Sequence, residues 1–133
     1  MRLYDVLREE CTCAGLDVPD KAATLRAVAQ WAKRSPILAG IDEQAILEKL
    51  EEREALGSTG FGNGIAIPHC RLKDANDFVV GILTVPGGVD FGSLDEKPVR
   101  LIVFIIAPED ASNTHLRLLS AISQTVQGKG TVK

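Results

Sequence analysis

The stretch VRLIVFIIA, residues 99–107, decides the fold because it contains the longest uninterrupted apolar run of the chain. That run, from Leu101 to Ala107, is closed by Pro108 and is far shorter than the ~20 residues needed to cross a bilayer. A strand that is apolar at nearly every position is typical of a sheet covered on both faces. The sequence therefore predicts a buried strand over 99–107 at the heart of the domain.

Two helices are predicted on the N-terminal side of this strand. Apolar residues at helical spacing predict a helix over about 21–34, with Asp20 as its N-cap and Ser35-Pro36 as its end. A second helix is predicted to follow Asp42 and to stop at Gly57. The eight residues GSTGFGNG, 57–64, contain four glycines and are predicted to form a loop.

Shorter apolar runs predict further strands. Residues 65–67 are predicted to form a strand that Pro68 must end or hold at an edge, because proline has no N–H to give to a ladder, and residues 78–85 are predicted to form another. Turns are expected at Gly87-Gly88 and over 92–97. A last helix should begin near residues 112–114. Helices before and after a group of strands give an α/β (α+β) fold, a mixed β-sheet flanked by helices, in a single domain of 133 residues.

Composition excludes several classes of function. The 15 Lys and Arg residues are scattered and are outnumbered by 18 Asp and Glu residues, so nucleic acid is not an expected partner. The start MRLYDVLREE carries charges where a signal peptide would be apolar, and three cysteines fit a reducing compartment. We therefore expect a cytoplasmic protein that does not insert into a membrane.

The two histidines are the first candidates for chemistry. His69 follows Pro68 at the expected strand exit behind the glycine-rich loop, a restrained position open to solvent, although a turn histidine without a task would look the same. His115 lies in the first turn of the last helix and shares a face with apolar residues. The helix N-terminus should lower the pKa of His115, so that a neutral ring can donate a hydrogen bond to a phosphoryl oxygen. The alternative is a core histidine bonded to a backbone carbonyl.

Anion binding is the second candidate chemistry. Successive N–H groups of residues 57–64 could hold phosphoryl oxygens, with short donors added by Ser58, Thr59 and Asn63. No Walker or dinucleotide motif is present, so nucleotide binding is unsupported and a plain set of turns remains open. Arg53 lies just before this loop and could supply a fixed positive charge, or could pair with a neighbouring glutamate.

Cysteine chemistry leaves one alternative. Cys11 and Cys13 form a C-x-C without the second pair that a zinc site needs, so neither a metal nor another cofactor is expected. Cys70 and His69 are adjacent, and neighbouring side chains in extended backbone point to opposite sides. A cysteine-dependent hydrolase that uses Cys70 with His115 stays open.

The run Arg53-Glu54-x-x-GSTGFGNGIAIPHCR, followed by PED-x-SNTHLRLLSAIS from residue 108, resembles the enzyme IIA domain of the phosphoenolpyruvate phosphotransferase system. The resemblance is to the fructose, mannitol and nitrogen-regulatory type. It implies that residues 1–133 are one such type-2 domain, with a mixed sheet flanked by helices. Family members usually continue beyond the position of Lys133, so we expect the domain to lack a C-terminal helix.

The resemblance also implies a set of site residues and partners. His69 would accept a phosphoryl group from the phosphocarrier HPr and pass it to a IIB component, or serve as a nitrogen-regulatory signal read by a target protein. His115 and Arg53 would stabilise the phosphoryl group. The expected cradle consists of Ser58, Thr59, Gly60, Gly62, Asn63 and Gly64. Phe61 at the loop tip would either contact the partner or fold back onto the sheet edge.

Overall fold

The computed structural model describes residues 7–93 and 95–109, and for Phe61 the backbone alone. Two α-helices precede the sheet: α1 spans Lys21–Ala32 and α2 spans Glu43–Ala55. Asp20 accepts a hydrogen bond from the Ala23 amide at 2.8 Å, and Asp42 accepts one from the Gln44 amide at 3.2 Å. The predicted N-cap Asp20 is therefore confirmed, and Asp42 caps α2 in the same way, because each carboxylate pairs an amide that the first helical turn leaves without a partner.

Among the described residues, five strands form one mixed sheet around the apolar run from Leu101 to Ala107. The strands are β1 (Gly60–Gly62), β2 (Ile65–Ala66), β3 (His69–Leu72), β4 (Val79–Val89) and β5 (Val99–Pro108). β5 pairs in parallel with both β2 and β3 along one edge and antiparallel with β4 along the other, while β1 pairs with β2. The predicted strand over 99–107 is thus confirmed as the centre of the sheet.

Both faces of β5 are buried, as its uninterrupted apolar run predicts. Ile102, Phe104 and Ile106 enter a core that also contains Val28 of α1 and Leu50 of α2. The alternate residues of β5 enter a second apolar cluster on the other face, and they are at most 5% exposed; they are Val103, Ile105 and Ala107. Two-sided burial explains why this strand lacks the apolar–polar alternation of a half-exposed strand.

β4 is longer than the sequence predicted. Pairing with β5 runs to Thr84, is interrupted by a bulge, and resumes where Val89 faces Val99. Gly87 and Gly88 therefore lie within β4, and the prediction of a turn there was wrong. A bulge lets one strand carry extra residues without ending, and Gly88 supplies the positive φ of 76° that this irregular segment requires. The described residues between β4 and β5, 90–93 and 95–98, lie outside the strands, in the region where a turn over 92–97 was predicted.

The glycine-rich segment is also more ordered than predicted. Residues Gly60–Gly62 form β1, which pairs antiparallel with β2 around Asn63 and Gly64. These two residues have φ values of 57° and 81°, the pair of positive angles that tight hairpins favour. Gly60 is required for packing, because a Cβ there would come within 2.3 Å of Ser93 Oγ. The prediction of a loop throughout 57–64 was wrong for Gly60–Gly62, which form a strand.

His69 begins a strand instead of leaving one. β2 and β3 lie in line along the same edge of β5, and the pairing is interrupted at residues 67–68. Pro68 keeps contact with β5 through its carbonyl, which accepts a hydrogen bond from the Ile105 amide at 3.0 Å. His69 thus lies immediately after a break between two collinear strands. The predicted last helix lies outside the described residues, and within those residues no helix is long and apolar enough to span a membrane.

Candidate functional site

The His69 imidazole is held through both of its nitrogens. Nδ1 lies 2.8 Å from the carbonyl oxygen of Ile67, and Nε2 lies 3.2 Å from Nε of Arg53. A carbonyl oxygen can only accept and a guanidinium can only donate, so Nδ1 carries the proton and Nε2 presents its lone pair. The two contacts therefore select the tautomer in which Nε2 is the nucleophilic atom.

The electrostatic surroundings keep this ring neutral. Burial lowers the pKa of His69 from its usual 6.5, because the charged form loses hydration, and the positive charges of Arg53 and Arg71 act in the same direction. The hydrogen bond to the Ile67 carbonyl and the charge of Glu54 oppose this effect on the pKa only in part. At neutral pH the imidazole is consequently unprotonated at Nε2 and able to attack an electrophile.

Arg53 reaches the histidine from the last turn of α2. Its Nη1 donates to the carbonyl of Gly57 at 2.8 Å, two residues beyond the end of the helix. This contact leaves the rest of the guanidinium directed at the ring, where Nε donates to His69. A fixed positive charge therefore lies beside the nucleophilic nitrogen, as is suitable for a phosphoryl group.

Glu54, the neighbour of Arg53, ties the glycine-rich segment to the end of α2. Its carboxylate accepts hydrogen bonds from the Thr59 amide at 3.0 Å and from the Thr59 hydroxyl, and it forms an ion pair with Lys21 of α1 at 2.8 Å. The Glu54 side chain is only 5% exposed. A carboxylate is stable in a buried position when hydrogen bonds and an ion pair replace its lost hydration, as they do for Glu54.

Several donors of the expected phosphoryl cradle are bonded within the protein. Besides the Thr59 groups, the Gly60 amide donates to Ser58 Oγ at 3.0 Å and Ser58 Oγ donates to the Phe91 carbonyl at 2.6 Å. The Asn63 amide donates to Asp95 at 2.9 Å, and Asp95 has a lowered pKa, chiefly because of this bond. These contacts give the segment a fixed shape next to His69. Gly62 ends β1, and Gly64 lies in the hairpin turn.

Cys70 is oriented away from this site. Its side chain is 6% exposed in the core against the helices, and burial raises the pKa of the thiol to about 12. A buried thiol that stays protonated is not a nucleophile, so the cysteine-hydrolase interpretation is unsupported. His115 lies outside the described residues, and the side chain of Phe61 is likewise not described. In the part of the chain that is described, no group of three His, Cys, Asp or Glu residues could hold a metal ion.

Two features of the site were not found from the sequence. The Ile67 carbonyl carries no sequence signal, because any residue would supply it. Leu56, directly after α2, is 86% exposed although it is large and apolar, and it lies close in sequence to Arg53 and Gly57. Its position after the helix and before the glycines could have identified it as a surface contact.

Comparison with known proteins identifies the family. The family profile described as "Phosphoenolpyruvate-dependent sugar phosphotransferase system, EIIA 2" matches residues 5–133. The chain belongs to this family. The resemblance inferred from the sequence is thereby confirmed, and so is its consequence that the chain is an enzyme IIA component of the phosphotransferase system.

Two nitrogen regulatory proteins are similar to this chain over most of its length. The nitrogen regulatory protein of Pseudomonas aeruginosa is 40% identical over 123 residues, which cover 92% of this chain and 79% of that protein. The crystal structure of the nitrogen regulatory protein IIA-Ntr of Neisseria meningitidis superposes with a TM-score of 0.85 at 28% identity, and covers 94% of this chain and 84% of its own.

A mannitol enzyme IIA shares the fold. Mannitol enzyme IIA of Escherichia coli, solved in complex with phosphorylated enzyme IIB, superposes with a TM-score of 0.74 at 21% identity. The alignment covers 92% of this chain and 84% of that one. The α/β arrangement of helices and mixed sheet predicted from the sequence is thus confirmed by both structures.

Proposed function

We propose that this enzyme IIA domain accepts a phosphoryl group on Nε2 of His69 from an HPr-type phosphocarrier and passes it on. The single observation that carries the proposal is the double contact of the imidazole, with Nδ1–H on the Ile67 carbonyl and Nε2 beside Arg53. One contact exposes the lone pair and the other supplies the charge that a phosphoryl group needs. The enzyme is thus a phosphotransferase with a phosphohistidine intermediate.

The reaction is an exchange between two imidazoles. The Nε2 lone pair attacks phosphorus in line, an Nε2–P bond forms, and the P–N bond of the donor phosphohistidine breaks, with its electron pair returning to the donor ring. The proton on Nδ1 stays on the ring, held by the Ile67 carbonyl. Such a transition state requires mainly alignment and neutralisation of charge, so neither a nucleotide nor a metal takes part in this step.

Arg53 is the main source of this neutralisation in the proposal. Its guanidinium already donates to Nε2, and it can move to the phosphoryl oxygens once the Nε2–P bond replaces that contact. We assign His115 to a second donor on the phosphoryl group, as the family resemblance implies. The glycine-rich segment contributes its fixed shape. We assign Gly62, at the end of β1, and Gly64, in the hairpin turn, to the cradle around the phosphoryl group.

The proposed acceptor is a IIB component or a regulatory target protein in the cytoplasm. The mannitol enzyme IIA complex with phosphorylated IIB supports the first choice, because a protein of this fold docks on a IIB component. The nitrogen regulatory proteins, which align over most of this chain, support the second choice. The extent of the match to the Pseudomonas aeruginosa protein, which covers 92% of this chain, favours a nitrogen-regulatory role here.

Phosphorylation by purified components tests the assignment. Incubation with enzyme I, HPr and radiolabelled phosphoenolpyruvate should add one acid-labile phosphate to the parent protein and none to His69→Ala. Lys49→Gln is a matched control, because Lys49 is an exposed residue of the same helix as Arg53 and pairs only loosely with Glu52 at 3.8 Å. Acid-labile label that persists in His69→Ala would refute the site.

A further inference from the structure

A continuous series of hydrogen bonds runs from the last turn of α2 to the other side of the His69 ring. Glu54 accepts from the Thr59 amide and hydroxyl, the Thr59 carbonyl accepts from the Ile67 amide at 3.0 Å, and the Ile67 carbonyl accepts from Nδ1 of His69 at 2.8 Å. Adjacent residues of one helix turn therefore act on opposite ring nitrogens. Arg53 contacts Nε2 directly, and Glu54 reaches Nδ1 through Thr59 and Ile67.

We propose that Glu54 is a positioning residue for phosphoryl acceptance, which holds the Ile67 carbonyl on Nδ1 and so keeps the nucleophilic lone pair on Nε2. The inference rests on the proposed function for its effect on the rate, but its effect on the ring tautomer is independent of that function. Lys21 supports Glu54 as its ion-pair partner, and it is itself placed 4.7 Å from the centre of the Phe91 ring.

The position of the Ile67 carbonyl needs such support, because the sheet does not supply it. Pairing of β2 with β5 ends at Ala66 and resumes at His69, so the Ile67 peptide lies in the break between the two strands. Its amide is bonded to Thr59 instead. Ile67 is buried and Thr59 is 8% exposed, so water cannot easily replace this contact.

A wrong tautomer would disable the site in two ways. With the proton on Nε2, the attacking nitrogen has no lone pair, and the N–H would face the guanidinium of Arg53, which also only donates. The rate of phosphoryl acceptance should therefore follow the fraction of rings that carry the proton on Nδ1. A residue that merely fastened the loop would change stability and leave this fraction unaltered.

The test combines nitrogen NMR of the His69 ring with single-turnover phosphorylation by phospho-HPr. Glu54→Ala should shift the ring toward the mixture of tautomers of a solvent-exposed imidazole and slow phosphoryl acceptance roughly tenfold at saturating donor. Thr59→Val, which removes the hydroxyl contact and keeps the amide, should give a smaller change in the same direction. Thr59→Ser should restore both measurements to the parent values. Glu52→Ala is the matched control, since Glu52 lies on the same turn with its side chain 68% exposed.

The outcomes separate this inference from the proposed function. A folded Glu54→Ala protein that keeps the parent tautomer and the parent rate overturns the positioning role. If Glu54→Ala does not fold, an unaltered tautomer in Thr59→Val overturns it equally. If the parent takes no phosphate on His69, the proposed function fails, while the tautomer measurement still decides the role of Glu54.

Discussion

His69 and Cys70 are neighbours at the start of β3, and the same physical effect favours the nucleophilic form of the first and disfavours that of the second. The His69 side chain is partly buried beside the end of α2, whereas Cys70 points into the core between sheet and helices. Loss of hydration disfavours the charged form of each group. It lowers the pKa of His69 below 6.5 and raises the pKa of Cys70 to about 12.

The difference lies in which protonation state each nucleophile uses. A neutral imidazole attacks through its lone pair, so burial increases the reactive fraction of His69. A cysteine attacks as the thiolate, so burial removes the reactive form of Cys70. Hydrogen bonding then distinguishes them further: the ring has a partner at each nitrogen that fixes the tautomer.

Removing the guanidinium of Arg53 should have the largest effect on the rate of phosphoryl acceptance by His69. Arg53→Ala should slow phosphoryl acceptance by His69 on the order of 100-fold, because the charge beside Nε2 stabilises the transition state. Arg53→Lys should recover part of the rate, since a lysine keeps the charge without the fork geometry. Rapid-quench measurement with phospho-HPr gives the rates, and a rate for Arg53→Ala within twofold of the parent would remove Arg53 from the mechanism.

The pH dependence sharpens the comparison through the lowered pKa of His69. Phosphoryl acceptance should stay level as pH falls through 6.5 and then decline roughly tenfold per pH unit below the folded pKa. Stability should change in the same range: below about 6.5 the unfolded chain binds the proton that the folded ring resists, so falling pH favours unfolding. Urea midpoints of the parent should therefore drop with acid more than those of His69→Gln. A rate that declines with a midpoint above 6.5 would contradict the lowered pKa.

The sequence predicted the elements whose signals are local. The N-cap Asp20, the two helices and the central strand need only spacing and a cap, and the structure has all of them. β4 was predicted too short because a bulge depends on pairing with β5, which a single strand does not reveal. Residues 57–64 were predicted to form a loop because the hairpin within them depends on two adjacent positive φ angles and on close packing against Ser93, which the sequence does not reveal.

The site was predictable in its side chains and not in its backbone. Arg53 and His69 are 16 positions apart, and their types and flanking residues indicated an anion site before any contact was known. The Ile67 carbonyl and the Thr59 bridge depend on a break between collinear strands, which no residue type announces. The role proposed for Glu54 was missed for the same reason, since it acts through this backbone, whereas the position of Leu56 directly after α2 was a sequence signal.

A smaller effect is expected at the surface next to the histidine. Leu56 is 86% exposed beside the residues that hold Arg53, so a donor protein that brings its phosphohistidine to Nε2 should cover it. Leu56→Ala should raise the KM for phospho-HPr about fivefold and leave kcat unchanged, because the residue contacts no reacting atom. An unchanged KM would place the docking surface elsewhere. Leu47→Ala controls for loss of stability, because Leu47 is a partly buried residue of α2.

The smallest effect on phosphoryl transfer should come from a substitution at Cys70, the neighbour of His69 in β3. Cys70→Ser places a hydroxyl in the core and should lower the free energy of unfolding by about 1–3 kcal/mol, while phosphoryl acceptance by His69 remains within about twofold of the parent. In the folded parent, alkylation of Cys70 at pH 8 should be slow, because a thiol with a pKa of about 12 is almost wholly protonated there. Urea denaturation and peptide mass analysis after alkylation provide the measurements. A large loss of transfer in a stable Cys70→Ser protein would mean that the two sides of β3 are coupled, and that burial alone does not account for their difference.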